Sequence, residues 1–410
     1  MNILFIHHNF PGQYKHLAPI LAKRGHRVVA MGDAKNLGEQ RRVAGVQLIT
    51  YASPAGATKG THHYLRPVEA HVRRAQAVVK RALELRRAGF RPDVICVHPG
   101  WGEALFLRDV FPNARQVHFA EFYYNARGSD VGFDPEFPAT FDDVFRVRIK
   151  NTALLFSAQE ADRLVSPTRW QAQQLPQTFH DKISVVHDGI DTQRVRPAAD
   201  AHLQASPGGP SFDRSQDIVT FVARNLEPYR GIHTFLRALP RLQELRPNAE
   251  VLVVGGDGVS YGQRPPGGRT YRDIYLSEVV HELDLGKIHF LGKLDYAEYL
   301  KVLQISKVHV YLTYPFVLSW SALEAMAAGC TFVGSDTAPV REIVTEGGTG
   351  TLVDFFDPPA LADRIADLLA DRDAADAMGR KAREYVRDRF DLRSRCLPRQ
   401  IGLVEKLARS

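Results

Sequence analysis

The stretch VHVYLTYPFVLSWSALEAMAAGCTFVGSD, residues 308–336, holds an apolar run, a loop with Pro315, an Ala-rich segment ended by Gly329, and a second apolar run. Residues 308–313 and 331–336 are short, β-branched and apolar without strict alternation, as strands buried on both faces are. Leu323 and Met326 recur at helical spacing between them. Strand, helix, strand in about thirty residues is the crossover unit of a parallel sheet.

The same alternation runs outward in both directions. Upstream come DIVTFVARN, GIHTFLRALPRLQEL, AEVLVVGGDG, KIHFLGKL and DYAEYLKVLQIS. The first half repeats the scheme with NILFIHH, the helix YKHLAPILAKRG, HRVVAMG, VQLITYA, a long helix over residues 62–91, PDVICVHPG, a helix through WGEALFLRDVF, ARQVHFAEF, ADRLVSPT and KISVVHDGID. The two halves are separated by RVRPAADAHLQASPGGPSFDRSQD, rich in Pro, Gly, Ser and Asp and without periodicity, which reads as linker with surface loop. A chain of 410 residues exceeds what one core usually supports. The expectation is α/β, with two doubly wound Rossmann-like domains: a first domain over residues 1–196, a linker over 197–217, a second domain over 218–385, and a C-terminal helix over 386–410 packing back on the first.

Hydrophobic content of 44% with 24% charged residues fits a globular protein. The opening MNILFIHHNF has no basic segment ahead of a long apolar core, and no run approaches ~18 apolar residues, so neither a secretion signal nor a membrane span is expected. Cys96, Cys330 and Cys396 are odd in number and widely spaced, which argues for free thiols in a cytoplasmic protein and against a disulfide framework or zinc knuckle. The net charge of +7 lies wholly in the first half. Much of it falls on residues 62–91, where Arg66, Arg73, Arg74, Lys80, Arg81, Arg86, Arg87 and Arg91 face only Glu69 and Glu84. Two readings stand: a solvated helix face, or weak contact with an anionic membrane that places the protein peripherally at its inner face.

Open parallel sheets bind ligands beyond the carboxyl ends of their strands, so chemistry is sought there. Arg224 follows one strand and Arg230 precedes a helix; two converging guanidiniums suit a diphosphate, and exposed surface arginines are the simpler account. The amides of Leu318, Ser319, Trp320 and Ser321 lie near a helix start and suit phosphate. Glu324, one turn on, is placed to accept hydrogen bonds from the vicinal hydroxyls of a ribose. In the first half, His98 and Glu121 close strands, and His118 lies three positions before Glu121. A buried hydrogen-bonded imidazole is the plain alternative for both histidines; an acid beside Phe119, Phe122, Tyr123 and Tyr124 needs a partner or a role. Trp101, Gly102 and Glu103 belong to the acceptor side or simply begin a helix.

Taken in order, ARNLEPYRG, the glycines after VLVV, FLGKL, SWSALEAMAAGC with TFVGSD, and REIVTEGGTGTLVD resemble the C-terminal half of the retaining glycosyltransferases of family 4. HHNFPGQYKHLAPILAKRGHRVVAMG resembles that family's opening strand, glycine loop and helix, and VVHDGIDTQRVRP its interdomain boundary. The resemblance implies two Rossmann-like domains facing across a cleft, no bound metal or cofactor, and a nucleotide-diphosphate sugar as donor substrate. It further implies Gly12, followed by Gln13, near the donor diphosphate, the first domain as the acceptor side, and Glu121 or else His118 at the family's catalytic strand end; His98 is a catalytic candidate by its own strand end, and base selection is expected around Lys293. The family motif is Glu, seven residues, Glu; here the second acid is Glu324 and the first position holds Phe316. The implied activity is transfer of a sugar to a hydroxyl acceptor, including one linked to lipid, in polysaccharide or glycoconjugate biosynthesis, with no nucleic-acid partner. A sugar-nucleotide epimerase and a non-catalytic nucleotide-binding scaffold are the alternatives on the same fold. A nicotinamide dehydrogenase is disfavoured because HHNFPGQY lacks GxGxxG.

Overall fold

The computed structural model describes residues 1–37, 42–54, 56–205 and 208–409. The chain divides into two compact units, Met1–Gly189 with Arg393–Ser410, and Ile190–Leu392.

The first unit carries a parallel sheet of β1 (Asn2–Ile6), β2 (Arg27–Asp33), β3 (Val46–Tyr51), β4 (Val94–Val97), β5 (Arg115–Phe119), β6 (Arg163–Ser166) and β7 (Ile183–Val185), in the order 3-2-1-4-5-6-7. Side chains of a strand point alternately to its two faces, and β1 shows why its sequence is apolar throughout. Leu4 and Ile6 pack with Val78, Ala82 and Leu85 of the helix Arg66–Arg87. Ile3 and Phe5 pack with Leu17 and Leu21 on the other face, where Ile401 and Val404 of the helix Leu397–Leu407 join them. Residues 386–410 are therefore not one helix. The helix Arg372–Phe390 ends in the second unit, and a π turn at Leu392–Cys396 leads to the helix that covers the first sheet.

The segment read as a linker, 197–217, folds into the second unit. β8 (His202–Gln204) and β9 (Ser211–Asp213) pair antiparallel, and Leu203 and Phe212 are buried against Ile218, Leu252, Val302 and Ile305. One buried residue per three-residue strand is too short a pattern to appear as periodicity, which is why composition misled; Ser206 and Pro207 lie outside the described residues. The helix expected through WGEALFLRDVF shrinks to Leu107–Val110, because Gly102 takes a left-handed φ of 98° after the turn Pro99–Trp101.

The second unit is built on β10 (Ile218–Asn225), β11 (Glu250–Gly256), β12 (Ile288–Gly292), β13 (Val308–Tyr311), β14 (Thr331–Ser335) and β15 (Thr351–Val353), all parallel, in the order 12-11-10-13-14-15. In each sheet the direction of winding reverses once, between β1 and β4 and between β10 and β13. Those reversals open the crevices in which ligands of such sheets sit. Among the described residues no helix is long and apolar enough to cross a membrane, and the three cysteines are buried free thiols.

Candidate active site

At the first reversal, His7 follows β1 and His98 follows β4, with ring centroids 5.1 Å apart. The His7 imidazole is oriented by its neighbours. Nδ1 accepts from the Asn9 amide at 2.9 Å, so Nε2 carries the proton and donates to Gln13 Oε1 at 2.6 Å. Burial, then the neighbouring His98, push His7 down to about 3, so it stays neutral. With its oxygen occupied, the Gln13 amide turns its nitrogen to Glu121 Oε1 at 3.2 Å. His98 Nδ1 accepts from the Gly100 amide at 3.2 Å, which puts the proton on Nε2, and that nitrogen lies 3.5 Å from Glu121 Oε2. The structure thus brings Gln13, His98 and Glu121 together at the ends of three strands, on a carboxylate that keeps 38% of its side-chain surface exposed.

His118 does not join them. It is fully buried, with Nδ1 2.6 Å from Ser157 Oγ and Nε2 2.9 Å from Gln116 Oε1, and burial pushes it down to about 3. It is a satisfied core histidine, placed by the alternation of β5 on the opposite side of the strand from Phe119. Gly12 has a specific reason of its own. Its φ is +47°, and a Cβ there would stand 2.4 Å from the His7 ring. Trp101 stacks on His8 at 5.1 Å, and the buried Glu103 accepts from Tyr51 Oη at 2.9 Å.

At the second reversal the two arginines part company. Arg224 is exposed at the end of β10 and makes no hydrogen bond or ion pair among the described residues. Arg230 is buried and committed to the loop after β13: it donates to Tyr311 Oη at 3.0 Å, Thr313 Oγ1 at 2.8 Å and the Val317 carbonyl at 3.2 Å. Among the described residues, then, one guanidinium is engaged internally while the other is not. Two of the four amides read as a phosphate cradle are also engaged internally, Ser319 N with Tyr311 Oη at 2.9 Å and Ser321 N with Ser319 Oγ at 3.3 Å. Ser319 is the cap of the helix Trp320–Ala327, whose N-terminus carries partial positive charge. Leu318 is buried behind that cap and Trp320 opens the helix.

Lys293 follows β12 and lies across the end of β11. A Cβ on Gly256 would stand 2.3 Å from Lys293 Cε, so a side chain there would push the end of the lysine aside. Two residues that carry no motif organise this edge. Asn225 ends β10 and donates to Ser260 Oγ at 2.7 Å, and the buried Glu227 accepts from the amides of Ser260, Tyr261 and Gly262 at 2.9, 3.1 and 3.2 Å. Phe316, standing where the family has its first acid, packs with Tyr261 at 4.9 Å and Tyr229 at 5.5 Å. Glu324, 9% exposed, accepts from Tyr296 Oη at 2.7 Å and Tyr299 Oη at 2.8 Å. Neither tyrosine stands out in the sequence.

Residues 24–195 match the family described as Glycosyl transferase family 4 group, and residues 209–385 match Glycosyl transferases group 1. The chain is 32% identical over 233 residues to a D-inositol 3-phosphate glycosyltransferase of Nocardia farcinica, covering 54% of this chain and 48% of that one. It spans about half the length of the curated relatives it matches first. Among solved structures, sucrose-phosphate synthase from Thermosynechococcus elongatus superposes with a TM-score of 0.74 at 21% identity over the whole of both chains. The Anabaena protein HepE in complex with UDP-glucose superposes with a TM-score of 0.66 at 17% identity, again over both whole chains. At these identities the two structures speak for the fold.

Proposed function

The chain belongs to the two-domain glycosyl transferases of family 4, and from that membership we propose that it moves a glycosyl unit from a nucleotide-diphosphate sugar to a hydroxyl acceptor with retention of configuration. The observation that carries the reading is the edge of the second sheet. There an exposed Arg224 at the end of β10, a lysine lying over a glycine after β12, and after β13 a capped helix that carries a hydrogen-bonded carboxylate stand at the carboxyl ends of the strands. Arg224, Lys293 and the helix dipole supply positive charge for the departing diphosphate without assigning a part to a metal. Glu324 takes the ribose hydroxyls. In the first unit the reading gives Glu121, held by Gln13 and facing His98, the task of steadying the cation-like sugar centre as the acceptor oxygen bonds to it. The acceptor is assigned to the groups around Trp101 and Glu103. Names among the relatives support a phosphorylated polyol or sugar as acceptor and a uridine-linked donor.

The test is calorimetry of the full chain with UDP, GDP and dTDP, followed by product analysis with the corresponding sugars. One nucleotide should bind, and Glu324→Gln should weaken it by about 1.5 to 3 kcal/mol, the worth of a charge-assisted hydrogen bond, without loss of fold. Unchanged binding in that variant would remove the carboxylate from the nucleotide site; turnover to an epimer of the free donor would replace transfer by isomerisation.

We also propose weak contact with an anionic membrane through residues 62–91, with the protein otherwise cytoplasmic. Part of that charge is engaged within the protein: Arg74 donates to the Trp101 carbonyl at 2.6 Å, Arg73 to Gly56 O at 3.0 Å and the exposed Arg86 to Val110 O at 3.1 Å. Lys80 and Arg87 are exposed. Each cation near such a surface contributes about 1 kcal/mol within a Debye length of ~8 Å. Co-sedimentation with anionic vesicles is expected at low salt and release at high salt. A protein that ignores anionic vesicles at low salt has a merely solvated helix, and the acceptor is then water-soluble.

A further inference from the structure

We infer that Tyr296 and Tyr299 are positioning residues for nucleotide recognition, holding the two oxygens of Glu324 so that a ribose diol meets a fixed pair of acceptors. This rests on reading Glu324 as the ribose acceptor.

Both tyrosines come from the helix Tyr296–Ile305, one turn apart on one face, with rings 5.7 Å apart. They reach the carboxylate of a different helix, one hydroxyl to each oxygen: Tyr296 Oη to Oε1 and Tyr299 Oη to Oε2. An ionised carboxylate has about four acceptor sites, so one donor on each oxygen leaves one free site on each. Two sites on one rigid carboxylate are what two adjacent hydroxyls require. The terminal torsion of a glutamate is otherwise broad, and among the described residues these two hydroxyls are what restrain this one.

The donors are themselves fixed. Asp295 caps their helix, accepting from the amides of Ala297 and Glu298 at 2.9 Å each, so Tyr296 sits in a firm first turn. The guanidinium of Arg194 lies over the Tyr296 ring at 4.4 Å. Tyr299 packs against the core that contains Leu323 and Met326 of the Glu324 helix. Burial, then the Glu324 carboxylate, push both phenols upward, so each keeps its proton to donate. The arrangement restrains the acid through two fixed donors.

The experiment is calorimetry of the full chain, wild type and with Tyr296→Phe, Tyr299→Phe and both, against UDP and GDP and their 2′,3′-dideoxy counterparts. Each single change should weaken the ribonucleotide that binds by ~5-fold and the pair by ~10-fold or more, the scale of one and two hydrogen bonds. Binding of the dideoxy ligand should not move, so the preference for ribose collapses. If both ligands weaken equally, the tyrosines only pack and the inference falls. It also falls if the variants keep the wild-type preference, in which case Glu324 stays the ribose acceptor. A wild type with no preference for ribose would instead overturn the reading of Glu324, and the inference with it. Melting curves of the double variant separate both from unfolding: Tyr296 is 39% exposed, and its loss should leave the fold intact.

Discussion

Arg224→Ala should lower the rate of glycosyl transfer ~100-fold or more, on the scale seen when one preorganised charge-stabilising group is removed. Its melting temperature should stay with that of the wild type. The two expectations have one cause. Arg224 ends a central strand at the reversal of the second sheet, is exposed, and makes no hydrogen bond or ion pair among the described residues. A guanidinium without an internal partner contributes nothing measurable to folding, and on the proposed reading its fork of donors is kept for the donor diphosphate. Arg224→Lys keeps the charge and loses the fork, so an intermediate loss is expected. Steady-state kinetics on the donor identified by calorimetry, beside a thermal melt, reads both. Near wild-type turnover in Arg224→Ala would remove the residue from the diphosphate site.

That Arg224 and Arg230 behave differently was not legible in ARNLEPYRG, where six positions separate two identical side chains. Sequence placed both after one strand and before one helix, and the strand-helix rhythm made the sheets themselves legible. What decides their roles lies eighty residues on, in the hydroxyls of Tyr311 and Thr313 and the carbonyl of Val317. The same limit explains His118, a strand residue whose direction is set by the parity of β5 and whose partner Ser157 is distant in sequence. It explains Tyr296 and Tyr299 as well, since i and i+3 on a helix mean only a shared face until the facing carboxylate is known. Glu324 draws attention in the sequence as a carboxylate one turn into a helix that follows a parallel strand, whereas the two hydroxyls that hold it come from another helix. Phe316 shows the converse: its missing acid was visible at once, and only the structure supplies the aromatic neighbours, Tyr229 and Tyr261, that make phenylalanine fit there.

Arg230→Ala should act on the fold first and on catalysis through it. The side chain is 7% exposed as a residue, and its donors meet Tyr311 Oη, Thr313 Oγ1 and the Val317 carbonyl. Tyr311 Oη in turn receives the Ser319 amide, so the arginine and the helix cap share one acceptor. Its guanidinium also lies 5.3 Å from the Tyr261 ring and 5.9 Å from that of Phe316. Truncation would leave a carbonyl and two hydroxyls short of a partner beside a cavity, and a hydrogen bond to a charged group is worth ~1.5 to 3 kcal/mol. The losses share one loop and do not simply add, so about 3 to 5 kcal/mol is expected for the second unit. For a unit of this size that lowers the melting temperature by about 10 °C. The loop that loses its anchor also sets the start of the helix bearing Glu324, so nucleotide affinity should fall along with stability, where Arg224→Ala leaves stability unchanged. Calorimetric unfolding with and without nucleotide separates the two cases. An Arg230→Ala protein that melts with the wild type but transfers no sugar would mean that this guanidinium leaves its loop to bind the donor, and the division of labour between the two arginines would be reversed.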